Sequence, residues 1–447
     1  MRKMMTHILA RLLLLALALA SCGSPPATVA PTNPPEQTAP TTIAPTSAAA
    51  PGTEKVTLSL WIFEGEEAFL PRLKEAFEAK YPNIALEITE IPEDQYVTKI
   101  DTALAANEPP DIGFVYGGQQ RWLKASKFLP LDELFKEKGI KPENYNQNAM
   151  SLYCAYEGKN YCVGSYTGAV LLFYNKDMFD AAGISYPSAS EPMTVEQYAD
   201  LAKRLSKPND DIAQRVWGGS AGNTWWYMDW TTHFSADGRK VVGFANDAPT
   251  TRTYELMAKL EKEGSAPSAS DMQLLGDVDL LSQKKQAMAI TDNFVAIGNM
   301  EQAGIRYGAA PPPVEQKGDK PFIITWSDAF GVFSQSKHPR EAEQFIAFLA
   351  TEGNQLRVAV DTMPLDMTIA ESWAAKNEGR REALTAIRLA RPVIFVPDIY
   401  SFAGGPLGDA YSQILEGTKT PQEAMDEAAK LMQSDLDKAW TTWEQIK

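Results

Sequence analysis

The chain predicts an α/β fold in two lobes, on three observations. Strand-like and helix-like stretches alternate from Val56 onward, the order expected of an α/β domain. The apolar run Ile112-Gly-Phe-Val115 is short and unbroken, as suits a strand covered on both faces of a parallel sheet. Of the 447 residues, roughly 395 remain after a leader and a tether are set aside, more than one hydrophobic core usually organises. No internal repeat and no second linker is visible, so the lobes are not two beads in series.

The leader carries Arg2, Lys3 and Arg11 before an apolar run from Leu12 to Ala20, too short for a bilayer core of roughly 30 Å and better read as a signal peptide. It closes on Leu19-Ala20-Ser21-Cys22, which resembles the lipobox of bacterial lipoproteins. That resemblance implies lipidation of Cys22 as the first mature residue and anchoring to the outside of the cell membrane. The alternative, an ordinary secretory signal, leaves an unpaired thiol at the new terminus. Residues 23–52 are almost wholly Pro, Thr, Ala and Ser with one charge, Glu36, a composition that cannot bury a core and favours an extended spacer.

Val56 to Glu64 reads as a strand, ended by Gly65. Phe69, Leu73 and Phe77 then recur at helical spacing until Tyr81-Pro82. Ile84 to Ile91 alternates as a second strand, and a helix from about Asp94 to Ala106 leads into Pro110-Asp111-Ile112. Ser151 to Tyr156 and Asn160 to Val163 read as a β-hairpin about Glu157-Gly158-Lys159. Cys154 and Cys162 lie symmetrically on it, so a cross-hairpin disulfide is expected in an oxidising compartment, two buried thiols being the alternative. Thr194 with Gln197, and Thr420-Pro421-Gln422-Glu423, read as helix starts. Gly353 is expected to end a helix that begins near His338-Pro339, and Gly417 to mark the turn before the last helix.

The formal charge of −15 becomes about −18 once the leader is lost, which counts against nucleic acid and anionic lipid as ligands. With only His7, His233 and His338 in the chain, no metal-ligand spacing stands out, and neither metal nor cofactor is expected.

The run from Tyr156 to Gly183 resembles the middle of extracellular solute-binding proteins of the maltose-binding type, family 1. Its carriers are Tyr174-Asn175-Lys176-Asp177, Ala182-Gly183 and the helix start at Thr194. Phe77-Glu-Ala-Lys-Tyr-Pro-Asn-Ile84, Pro110-Asp111-Ile112, Ala287-Met288-Ala289-Ile290, Tyr307-Gly308, Glu341-Ala342 and Glu423-Ala424 fall in the family's order. Together they cover nearly all of the chain beyond the tether. The usual Gly-Val-Pro after the hairpin is here Cys162-Val163-Gly164, and the usual Pro-Thr-Trp is Pro192-Met193-Thr194. The resemblance implies a two-lobed periplasmic-binding-protein-like α/β fold of type II, its discontinuous lobes joined by hinge crossings near 165, 325 and 364. The implied organisation is 1–21 leader, 22–53 lipidated tether, 54–165 plus 327–364 N-terminal lobe, and 166–326 plus 365–447 C-terminal lobe. It further implies a carbohydrate ligand between the lobes, an ABC permease in the membrane as partner, a monomer, and no catalysis.

A sugar offers hydroxyls for hydrogen bonds and C–H faces for aromatic rings. On that basis the expected ligand contacts are Phe63 and Glu64 with Glu66 nearby, Tyr116 and Gly117, Tyr166 and Thr167, then Asp292, Asn293 and Phe294, and finally Trp326 and Asp328. Trp225, Trp226 and Trp230, behind the Gly-rich Gly218 to Gly222, read as an aromatic floor. Phe63 reads equally well as a core residue, and Glu66 more readily as a solvated charge near the first turn of a helix. Two rival functions stand beside the sugar reading. A polyamine site would also use carboxylates and aromatics, and a secreted carbohydrate-active enzyme would need a pair of acids among the many Asp and Glu. A scaffold displayed on the tether would bind no small ligand.

Overall fold

The computed structural model of the protein describes residues 55–115, 120–221, 233–245, 248–276, 278–398 and 404–446. Cys22, Tyr116, Gly117, Trp225, Trp226 and Trp230 lie outside the described residues. Ten strands are labelled in chain order: β1 Val56–Phe63, β2 Ile84–Ile91, β3 Ile112–Phe114, β4 Ala155–Tyr156, β5 Lys159–Asn160, β6 Gly168–Asn175, β7 Met288–Asp292, β8 Tyr307–Ala310, β9 Thr325–Trp326 and β10 Phe330–Val332.

The first sheet has the order β10-β3-β1-β2. β1 runs parallel to β2, pairing Val56 with Ile84 and Phe63 with Ile91, and parallel to β3. The chain leaves this lobe near residue 165 and returns as β10, antiparallel to β3, with Phe330 opposite Phe114. Leu58, Leu60 and Ile62 point into the core, where helix Leu70–Lys80 adds Leu70, Leu73 and Phe77. Phe77 meets Phe345 and Phe348 of helix Pro339–Phe348 edge-on at 5.2 and 5.5 Å. Asp111 binds β3 to β1: its carboxylate accepts from the Ser59 amide and hydroxyl, both at 2.9 Å, and from Ser336 at 2.7 Å. Burial pushes its pKa up, but these hydrogen bonds outweigh burial and hold it below the usual value.

The second sheet is built on β6, all eight of whose residues are buried, with β7, β8 and β9 each antiparallel to it. The Tyr-Asn-Lys-Asp sequence at its end is structural. The Asn175 side chain caps helix Lys176–Ala182 by accepting from the Met178 amide. Lys176, 3% exposed, pairs with Glu378 and Glu382 at 2.9 Å. Gly183, at φ +64°, ends the helix in the left-handed region that glycine enters at little cost.

Three chain segments run side by side between the two sheets. Val163 and Phe330 exchange backbone hydrogen bonds at 3.0 and 2.9 Å, Thr167 donates to the Met363 carbonyl at 2.8 Å, and Leu365 donates to the Ser165 carbonyl at 3.1 Å. Gly168 pairs with Trp326. These are the segments in which the crossings near 165, 325 and 364 are expected. The last turn of the C-terminal helix Pro421–Gln445 also meets the first lobe, with the Trp443 ring 5.9 Å from Tyr156 and 4.8 Å from the Lys124 ammonium.

Both capping boxes are present, at Thr194 with Gln197 and at Thr420 with Glu423. Two local expectations change. Residues 151–153 are not strand but the end of helix Gln147–Tyr153, whose start is capped by the Asn146 side chain; the hairpin is only β4 and β5. Gly353 does not end its helix. A π-helical turn, Leu349–Gly353, runs into helix Asn354–Ala359, and Gly353 at φ −59° takes ordinary helical backbone rather than the left-handed conformation of a glycine cap.

Cys154 and Cys162 form a disulfide, with Cα atoms 4.8 Å apart and both residues buried. Closing so short a loop should contribute about 2–3 kcal/mol. Urea unfolding with and without reductant is expected to differ by that amount, and intact mass after alkylation should show no free thiol before reduction.

His233 is 1% exposed and lies 5.2 Å from the Phe244 ring, with no partner for Nδ1. Burial holds its pKa down to about 4. Between that value and the unfolded value of about 6.5, the unfolded chain binds the extra proton, so this contribution is complete above pH 6.5 and lost as pH falls to 4. Urea unfolding at pH 7 and pH 4.5 should show a loss of about 2 kcal/mol, and His233→Leu should remove most of that difference.

Candidate functional site

The C-terminal ends of β1 and β3 and the crossings converge on one region, the place where open α/β sheets bind ligands. Its centre is a buried guanidinium. Arg357, 3% exposed on helix Asn354–Ala359, donates from Nη1 to Glu66 Oε2 at 2.7 Å, from Nη2 to Asp328 Oδ2 at 2.8 Å, and from Nε to Ser165 Oγ at 2.8 Å. Its carbon Cζ lies 3.3 Å from the centre of the Phe69 ring and 4.8 Å from that of Tyr166, so the cation is held by aromatic rings as well as by carboxylates.

Asp328, 1% exposed, accepts from the Ser165 amide at 2.6 Å, the Ser165 hydroxyl at 2.5 Å and the Tyr166 amide at 3.3 Å. Its oxygens are thus spent on the first crossing and on Arg357. Burial works against the Arg357 charge, but the Asp328 and Glu66 carboxylates outweigh it and raise its pKa. Burial is also the largest influence on Glu66, whose pKa stays above the ordinary value despite Arg357. Tyr166 is pushed well up by burial, with Asp328 and Glu66 adding to the effect.

Three expected ligand contacts form one aromatic cluster here, in which Tyr166 is itself buried. Tyr166 meets Phe294 edge-on at 5.0 Å, and Phe294 meets Trp326 at 6.2 Å. Phe294 and Trp326 are half-buried, so each keeps part of its ring accessible. Gly168 makes room for the indole: a Cβ there would fall 2.2 Å from Trp326. Phe63 stands at the end of β1, edge-on to Phe114 with ring centres 4.6 Å apart, half core and half surface, and Glu64 beside it is exposed.

The remaining expected contacts hold the frame. Asn293, 2% exposed, accepts from the Ala169 amide at 2.8 Å and donates to the Thr167 carbonyl at 3.2 Å. Asp292 caps helix Asn293–Gln302 by accepting from the Val295 amide at 2.9 Å. Thr167 is buried and donates to the Pro364 carbonyl at 3.2 Å. Glu66 is not a solvated charge: its side chain is 13% exposed and tied to Arg357. Sequence reasoning missed Arg357 and Ser165 altogether, since neither stands in a local motif.

Among the described residues, no group of three or more His, Cys, Asp and Glu could hold a metal ion, and no helix is long and apolar enough to cross a membrane.

The family model described as "Bacterial extracellular solute-binding protein" matches residues 64–356. Among characterised proteins, the chain is 21% identical over 439 residues to the mannitol-binding protein of Pseudomonas aeruginosa, covering 87% of this chain and 95% of that one. It is 21% identical over 400 residues to the arabinooligosaccharide-binding protein of Bacillus subtilis, covering 83% and 90%. Among solved structures, it is similar to the sugar-binding protein MalE of Xanthomonas citri, with TM-score 0.72, 17% identity, and coverage of 87% of this chain and all of that one. It is also similar to an ABC substrate-binding protein of Listeria monocytogenes solved with cycloalternan, with TM-score 0.70, 19% identity, and coverage of 86% and 100%. At these identities the structural likeness shows the fold: two α/β lobes of the periplasmic-binding-protein type, joined by crossing strands.

Proposed function

Because this chain belongs to the bacterial extracellular solute-binding proteins, a family of binding proteins without catalysis, we propose that it captures an oligosaccharide between its lobes and delivers it to an ABC permease. The observation that carries this reading is the pair of half-buried rings Phe294 and Trp326 beside the hinge, backed by the buried ring of Tyr166, since ring faces are what a sugar's C–H faces need. Exposed Glu64 adds an acceptor for hydroxyls. The relatives named for arabinooligosaccharide and mannitol, and the structural neighbours solved with cycloalternan or maltotriose, support the same ligand class.

In this reading the lobes are 54–165 plus 327–364 and 166–326 plus 365–447, the protein is a monomer, and ligand contacts to both lobes stabilise a closed form that the permease recognises. Cys22 is lipidated and residues 23–52 are a tether, which keeps the receptor near its permease and raises its local concentration there. Cys22→Ser should release the protein from membranes while leaving ligand binding intact.

A second reading has its own support. Glu66 and Asp328 place two carboxylates against the single guanidinium of Arg357, an excess of negative charge that tolerates a polyamine and disfavours a phosphate. The test is a thermal-shift panel of maltotriose, mannotriose, arabinotriose and mannitol against spermidine, putrescine and glucose 6-phosphate. A ligand at 100 times its Kd stabilises the native state by about 2.7 kcal/mol, so a clear rise with a neutral sugar is expected. Stabilisation by the amines alone overturns the carbohydrate reading, and release of shorter sugars during incubation overturns the absence of catalysis.

A further inference from the structure

We propose that Arg357 is a positioning residue for ligand binding, one that fixes the buried ring of Tyr166 behind the half-buried Phe294 and ties the crossings around it. The proposal rests on the reading of Phe294, which Tyr166 backs, as part of the ligand surface. Helix Asn354–Ala359 lies between the two cores: Leu356 and Val360 pack against the first-lobe core, and Val358 against a second-lobe core. From this axis each nitrogen of the guanidinium reaches a different segment. Nε takes Ser165 on the first crossing, Nη2 takes Asp328 on the second, and Nη1 takes Glu66 in the loop after β1. The helix itself leads into the third crossing at Met363 to Leu365.

The flat faces of the cation are used as well, with Phe69 at 3.3 Å and Tyr166 at 4.8 Å. Tyr166 is therefore held by the hinge cation while its ring meets Phe294 of the second sheet's lobe at 5.0 Å. Its backbone is pinned from the same cluster, the amide donating to Asp328 at 3.3 Å. Only a planar fork serves three acceptors in three directions and two rings at once; an ammonium keeps the charge and loses the geometry.

The test is a double-mutant cycle on wild type, Arg357→Lys, Tyr166→Ala and the double variant, reading Kd for whichever of maltotriose, mannotriose or arabinotriose raises the wild-type melting temperature. Arg357→Lys is expected to weaken binding about tenfold in the wild-type background and less than about twofold once Tyr166 is alanine, the non-additivity of residues that act through one another. Equal losses in both backgrounds overturn the positioning role. If Arg357→Lys does not fold, Glu66→Gln, which removes the charge of one acceptor and keeps its shape, replaces it in the same cycle. If no sugar stabilises the wild type, the carbohydrate reading fails separately, and positioning is read from amide hydrogen exchange without ligand. Exchange at 164–168 should then be about tenfold faster in Arg357→Lys, with β2 unchanged, and unaltered exchange at 164–168 overturns the proposal.

Discussion

Arg357→Met is expected to lower the unfolding free energy by about 3–5 kcal/mol, because it removes one member of a buried ion cluster and leaves the others without compensation. Asp328 is 1% exposed and the Glu66 side chain 13% exposed, so neither can turn to water in place of the guanidinium. Methionine fills much of the volume between Phe69 and Tyr166, so the loss is electrostatic rather than a cavity effect. Two controls separate these terms in urea unfolding. Asp328→Asn combined with Arg357→Met should recover part of the loss, since the neutral amide costs less to bury than an unpaired carboxylate. The deficit of Arg357→Met should also shrink as the pH falls toward about 4, because burial already raises the pKa of Glu66, and without the cation that opposes this it takes up a proton more readily folded than unfolded. A deficit that is independent of pH and of Asp328 would point to packing instead.

What the sequence made legible is what short-range chemistry encodes. The strand alternation of Ile84 to Ile91, the helical spacing of Phe69, Leu73 and Phe77, and the paired cap residues at Thr194 and Thr420 are all read within a few residues, and all stand in the structure. Cys154 and Cys162 belong to the same class, eight residues apart about a turn. Helix Gln147–Tyr153 was missed because seven residues give too little periodicity, and its cap at Asn146 looks like any turn asparagine. Gly353 misled because glycine is also tolerated inside a helix, and here it keeps helical backbone at φ −59°. The site was legible only where it consists of rings after strands. Arg357 was not, since its partners lie 29, 192 and 291 residues away.

Phe294→Ala and Asn293→Ala should separate binding from framework at neighbouring positions. Phe294 is half-buried between Tyr166 and Trp326, with part of its ring open to a ligand. Its removal is expected to weaken sugar binding by about 2–3 kcal/mol, or roughly 30- to 150-fold in Kd, as for an aromatic anchor at the centre of an interface. Asn293 spends both ends of its amide on the backbone of the first crossing and is 2% exposed. Its alanine variant leaves a buried amide and a buried carbonyl unpaired, so the expected cost is about 2–4 kcal/mol of stability, with little change in Kd for the protein that remains folded. Calorimetric titration together with urea unfolding reads both quantities on both variants. The contrast is the informative part, because residues adjacent in sequence and sharing one helix start should fail in different ways. A Phe294→Ala protein that binds as tightly as wild type would shift the stacking role to Trp225, Trp226 and Trp230. An Asn293→Ala protein that keeps its stability and loses affinity would make the amide a direct ligand contact, against the hydrogen bonds it makes to Ala169 and Thr167.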